Sequence, residues 1–144
     1  MSIVSNHVID TKGDGFMLSF EIEFFEKDIQ YPENTILSVS VRSGEYFGST
    51  IMDIDMNQFA LFTIDLKNIY DTLIGNTKIS EPYGCQKYIL FSANKSGHIF
   101  VEGFLCDDMS SHELRFKNGF DQTFLKDFSG ELFSMYSKYA PNSK

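Results

Sequence analysis

The sequence predicts an α+β domain, a curled antiparallel sheet of about seven or eight strands with two amphipathic helices packed on its apolar face. Three observations carry this. Apolar and polar residues alternate with period two through most of the chain. The period changes twice to the three-and-four spacing of a helix, and the joints between strand-like runs are of hairpin length, too short for parallel crossovers.

From Phe16 to Phe24, Leu18, Phe20, Ile22 and Phe24 fall on one face and Ser19, Glu21 and Glu23 on the other. Leu37, Val39 and Val41 repeat the pattern against Ser38, Ser40 and Arg42. Ser43-Gly44 turns the chain into a further strand, Tyr46–Ile54. The period then changes: Phe59, Phe62, Leu66, Ile69 and Leu73 form one stripe of a helix. Asp55 or Asn57 can cap its start, and Gly75 suits a left-handed position just past its end. Strand patterns return at Lys78–Ser80, Lys87–Ala93, His98–Leu105 and Glu113–Lys117, with Asn94-Lys95-Ser96-Gly97 as a hairpin connection. From Asp121, a plausible N-cap, the helical spacing reappears in Leu125, Phe128, Leu132, Met135 or Tyr136, and Tyr139. Pro141 follows the last turn, and the tail Asn142-Ser143-Lys144 is expected to fray.

Composition bounds the function. The 144 residues are 42% hydrophobic, with 15 Phe and 7 Tyr, enough for the packed core of a single domain spanning 1–144. Twelve Lys and Arg against 20 Asp and Glu give a net charge of −8, which disfavours binding nucleic acid through its phosphates. Residues 1–72 hold 4 basic and 12 acidic side chains, and 73–144 hold 8 of each, so the whole deficit lies in the first half. Such a surface steers basic partners, and acid also keeps an aromatic-rich domain in solution. The chain lacks a secretory signal pattern and any apolar run long enough to span a membrane, and a cytoplasmic location is expected. Cys85 and Cys106, 21 positions apart and outside any CxxC motif, are expected to be reduced, buried thiols.

No catalytic constellation emerges. Glu21 with Glu23, and Asp53 with Asp55, could bind a divalent ion or divide acid and base roles, but Glu-x-Glu is the ordinary product of a solvated strand face and Asp55 has a helix to cap. His7, His98 and His112 lack metal-ligand spacing. A zinc site from His98, Cys106 and His112, or a nucleophile pair from Cys106 and His98, would need the last strands to converge. The glycines form neither GxGxxG nor a P-loop. No metal and no cofactor is expected. The aromatic content is the most unusual feature: Phe24-Phe25, Tyr31, Tyr46-Phe47 and Tyr83 cannot all face inward, and exposed rings beside acids are the ingredients of a protein-binding patch.

Several stretches together resemble the WapI-type bacterial immunity proteins and their uncharacterised relatives. They are Val41-Arg42-Ser43-Gly44 with Phe47-Gly48, the helix Phe59–Leu73 ending at Gly75, Gly97-His98-Ile99-Phe100-Val101-Glu102-Gly103, Leu114-Arg115-Phe116, and Asp121-Gln122-Thr123-Phe124-Leu125 with Phe128. They span roughly 37–136, and the first 35 residues share nothing with that family. The resemblance implies a non-enzymatic binder that neutralises a toxin, with no functional residue to transfer. With the charge distribution, the reading is an interaction protein for a basic toxin domain, whose expected contacts are Glu21, Glu23, Glu45, Tyr46, Asp53 and Asp55. The alternative is a small-molecule binder or minor enzyme with an aromatic-lined cavity in the sheet. A monomer or a homodimer, the latter joined through an exposed strand edge, fits either reading.

Overall fold

A computed structural model describes residues 2–107, 109 and 111–141; Asn142, Ser143 and Lys144, the tail expected to fray, lie outside them. The α+β class holds, but the strands form two sheets of four instead of one curled sheet. In the first sheet β1 (Ile3–Asp10), β2 (Phe16–Phe24), β3 (Thr35–Ser43) and β4 (Tyr46–Ile54) pair antiparallel in sequence order. Helix α1 (Met56–Thr72) follows. In the second sheet β5 (Asn76–Ser80), β6 (Tyr88–Ala93), β7 (His98–Cys106) and β8 (Glu113–Asp121) pair the same way, and α2 (Lys126–Tyr136) follows. The chain thus runs four strands and a helix, twice. Alternation tells which face of a strand is buried but not which neighbour the strand hydrogen-bonds, so the break after α1 leaves no mark in the pattern.

Strand β1 escapes the periodicity because its inner face is partly polar. Ser5 and His7 point inward with Ile3 and Ile9, while Val4 and Val8 stand exposed on the outer side. The core is built from the inner faces of both sheets and from both helices: Leu18, Phe20, Leu37, Val39, Phe91 and Val101 meet Phe59, Phe62, Leu66, Phe128 and Leu132. Its centre is aromatic. Phe20 lies edge-on to Phe128 at 5.2 Å between centroids, and Phe59 lies 5.6 Å from Tyr136 and from Phe62. These rings pack against one another at the centre of the core.

The helix ends depart from their expected chemistry. Asp55 occupies the N-cap position of α1, but its carboxylate accepts the amide of Glu33 instead of a helix amide. The first helical N–H, on Met56, donates to Asn34 Oδ1 at 2.8 Å, and Asn34 Nδ2 donates back to the carbonyls of Ile29 and Tyr31. Buried Asn34 therefore caps a helix whose start is 22 residues away. At the other end Leu73 takes the C-cap in the left-handed conformation (φ 58°), with its N–H on the carbonyl of Ile69, and Gly75, two residues on, also has a positive φ (101°). Asp121 does cap, accepting the Thr123 N–H at 3.0 Å at the 3-10 turn (Gln122–Phe124) that leads into α2.

Cys85 and Cys106 form a disulfide, with Cα atoms 6.6 Å apart, which overturns the expectation of reduced thiols. Two cysteines with no motif carry no pairing signal in sequence. The loop between β5 and β6 brings Cys85 against the end of β7.

Candidate functional site

The strand registers assign each predicted contact residue a place. On the outer face of the first sheet, Val4, Glu23, Ile36 and Asp53 form one row across the four strands, and Asn6, Glu21, Ser38 and Ile51 form the next. These eight positions carry three carboxylates and no cation. At strand spacing Glu23 and Asp53, two strands apart, lie about 10 Å from each other. Val4 and Ile51 are 58% and 56% exposed among them. Glu23 also accepts the Ser2 hydroxyl at 3.0 Å.

The other three predicted residues do not all join this patch. Asp55 lies just beyond the end of β4 and shares with Asp53 a cleft of about 320 Å³, lined also by Glu33, Gln58, Lys78 and Tyr83. Glu45 and Tyr46 sit at the opposite end of the sheet, in and after the β3–β4 turn, and seven residues of strand put Tyr46 about 24 Å from Asp53. The expectation that some aromatics face water is met: Tyr31, Tyr46, Phe47 and Tyr83 are exposed, and Phe24 is fully buried.

One candidate residue is held by a partner that sequence reasoning missed. The Asp53 backbone N–H, on the outer edge of β4, donates to Glu81 Oε2 at 2.8 Å, and Lys87 Nζ donates to the Ile51 carbonyl at 2.7 Å. Glu81 and Lys87 are themselves buried and lie 3.7 Å apart as an ion pair. Both side chains come from the disulfide-tied loop region, 28 and 36 positions downstream of the groups they meet, so no local spacing signals them.

A second polar cluster lies under α2. His7, buried, bonds through Nδ1 with Glu131 Oε1 at 2.8 Å and through Nε2 with Ser5 Oγ at 2.9 Å, and Ser5 Oγ bonds with the Tyr136 hydroxyl. A groove of about 750 Å³ between β1 and the helices runs past it, bordered by Lys67, Tyr70, Lys126 and Met135. Carboxylate to Nδ1 and Nε2 to hydroxyl is the connectivity of a nucleophilic triad. Here both partners of the hydroxyl belong to the fold, and the chain of bonds runs on to a fully buried tyrosine, so the cluster ties β1 to α2. Burial raises the Tyr136 phenol above its ordinary value of 10.0, partly offset by the bond with Ser5.

The remaining histidines are apart. His98 stacks on Phe100, while His112 pairs with Asp107 at 3.2 Å. Bonds from the Ser111 hydroxyl, then from the His112 amide, hold Asp107 well below the usual carboxylate range. The disulfide consumes Cys106, so neither the nucleophile pair with His98 nor a thiolate for zinc is present. Among the described residues no group of three or more His, Cys, Asp or Glu is placed to hold a metal ion. No helix is long and apolar enough to cross a membrane.

No family model matches this sequence, and no curated protein matches it. The fold is similar to the solved structure described as crystal structures of MRP1/MRP2 from trypanosoma bruciei, with a TM-score of 0.50 at 9% identity, covering 96% of this chain and 84% of that one. At that identity the likeness extends to the fold.

Proposed function

We propose that this chain is a non-enzymatic protein-binding module whose ligand is a basic protein surface, docked on the outer face of the first sheet at the end formed by Glu21, Glu23 and Asp53. The supporting observation is the pair of adjacent rows in which three carboxylates surround the exposed side chains of Val4 and Ile51 with no cation among them. Apolar anchors inside a charged rim are the usual composition of an interface, and the acid adds steering toward a cationic partner. Asp55 extends the acidic border around the adjoining cleft. Glu45 and Tyr46, at the far end, form a separate contact on this reading.

The resemblance in sequence makes a toxin domain the natural partner and would place the chain in the cytoplasm, whereas the disulfide argues for an oxidising compartment, where such bonds mainly persist. Binding to the product of the neighbouring gene tests the reading: a complex that weakens steeply as salt rises, and that Glu21→Lys with Glu23→Lys abolishes, supports it. The absence of any complex at low salt refutes it.

A further inference from the structure

Two sheets of four strands have four edges, and they differ in what stands beside them. β4 has its Asp53 amide and Ile51 carbonyl satisfied by Glu81 and Lys87, β5 packs against α1, and β1 lies beside α2, to which its inward Ser5 and His7 side chains bond. The fourth is β8. The Asp107 N–H donates to the His112 carbonyl at 3.2 Å, and the Gln122 N–H donates to the Gly97 carbonyl at 3.0 Å. Extending that alternation along the ladder, the even-numbered residues of β8 bond to β7, and the N–H and C=O of 113, 115, 117 and 119 point away from it. All four residues are exposed, and no described group hydrogen-bonds to these backbone atoms. A row of unpaired groups on a nine-residue strand is a template for another strand.

The side chains choose the occupant. A second copy of β8 laid antiparallel can overlap by seven or more residues in three ways that keep outward-bonding residues opposite one another. Centred on Phe116, Arg115 faces Lys117; centred on Lys117, that lysine faces itself and Glu113 faces Asp121. Both oppose like charges. Centred on Asn118, Arg115 faces Asp121 twice, Lys117 faces Gly119, and on the inner side Phe116 faces Phe120. Opposite charges and aromatic pairs across strands are favourable, and like charges are not. We propose that β8 is a self-association edge, at which two copies pair about Asn118 across a twofold axis and join their second sheets into one of eight strands.

The interface is isologous and small, below the size of a permanent dimer, so the association is concentration-dependent. Sedimentation velocity over a concentration series reaching about 0.5 mM, the range in which so small an interface is populated, provides the test. The parent is expected to shift reversibly from monomer to dimer. Lys117→Pro removes an outward donor while leaving the β7 ladder whole, and Arg115→Asp turns two attractive pairs into repulsive ones. Each is expected to weaken the dimer at least tenfold with circular dichroism unchanged. A parent that stays monomeric throughout, or a dimer that neither variant weakens, overturns the proposal.

Discussion

Replacing Lys87 by methionine leaves the Glu81 carboxylate buried without the cation 3.7 Å away and strips the Ile51 carbonyl of its 2.7 Å donor. Removing one partner of a buried pair costs about 3 to 5 kcal/mol, because the charge left behind stays desolvated. For a chain of 144 residues this corresponds to a fall in melting temperature of roughly 10 °C. Glu81→Gln performs the reciprocal experiment. The amide oxygen still accepts the Asp53 N–H, so the loss reports the missing charge and not the missing hydrogen bond. The double variant Glu81→Gln, Lys87→Met removes both charges of this pair, and its cost is expected to fall below the sum of the two single costs by about 2 kcal/mol, within the range measured for groups in contact. Urea unfolding of all four proteins, followed by far-ultraviolet circular dichroism without reductant, gives the cycle. Single variants within about 0.5 kcal/mol of the parent, as for ordinary surface substitutions, or a double variant that costs the plain sum, would refute the claim that this pair seals the β4 edge.

Three further outcomes are expected. A Cβ on Gly103 would lie 2.5 Å from Phe116 Cε1 and 2.8 Å from Ile89 Cδ1, both in the core, whereas one on Gly48 would meet Cδ2 of the partly buried Leu114 at 2.8 Å. Gly103→Ala should therefore cost about 1 to 3 kcal/mol in denaturant, clearly more than Gly48→Ala; equal costs would count against the packing described. Cys85→Ser opens a loop of 21 positions and should lower stability by about 3 kcal/mol, with reductant doing the same to the parent; a parent indifferent to reductant would show that the bond does not form. At alkaline pH, Tyr136 and Tyr139 are both raised above 10.0, chiefly by burial, Tyr139 also by its bond to Glu26. A raised value in the folded state means that stability is whole below pH 10 and drains as pH climbs through the folded values, since the unfolded chain gives up these protons first. Urea midpoints measured below and above that pH should show the fall, and a flat profile would contradict the placement of both phenols.

What the sequence discloses divides along a physical line. Periodicity reports which side of an element is apolar, so β2, β3, β4, β7 and the two helical stripes could be read with nearly correct bounds. Where a strand buries polar groups that find distant partners, the signal fails: Ser5 and His7 conceal β1 because Tyr136 and Glu131, which make them tolerable inside, are more than 120 positions away. The same holds for Asn34 as the cap of α1 and for Glu81 and Lys87 on the edge of β4. The patch was legible only as charge. Glu21, Glu23 and Asp53 share a face because three antiparallel registers put them there, while the same registers carry Glu45 and Tyr46 to the other end of the sheet. The disulfide had no spacing to announce it.

The tie between the first strand and the last helix also governs how the chain matures. On a ribosome, β1 to β4 emerge with Leu18, Phe20, Ile22 and Phe24 facing nothing, and the groups that close over them, first Phe59 and Phe62 and later Phe91, Phe128 and Tyr139, are still unmade. Completion of the core waits until α2 has been made, and contacts of such long range also slow the search for them. The nascent first sheet is therefore a natural client for a chaperone, and a messenger truncated after α1 would yield a sticky fragment in place of a smaller working protein.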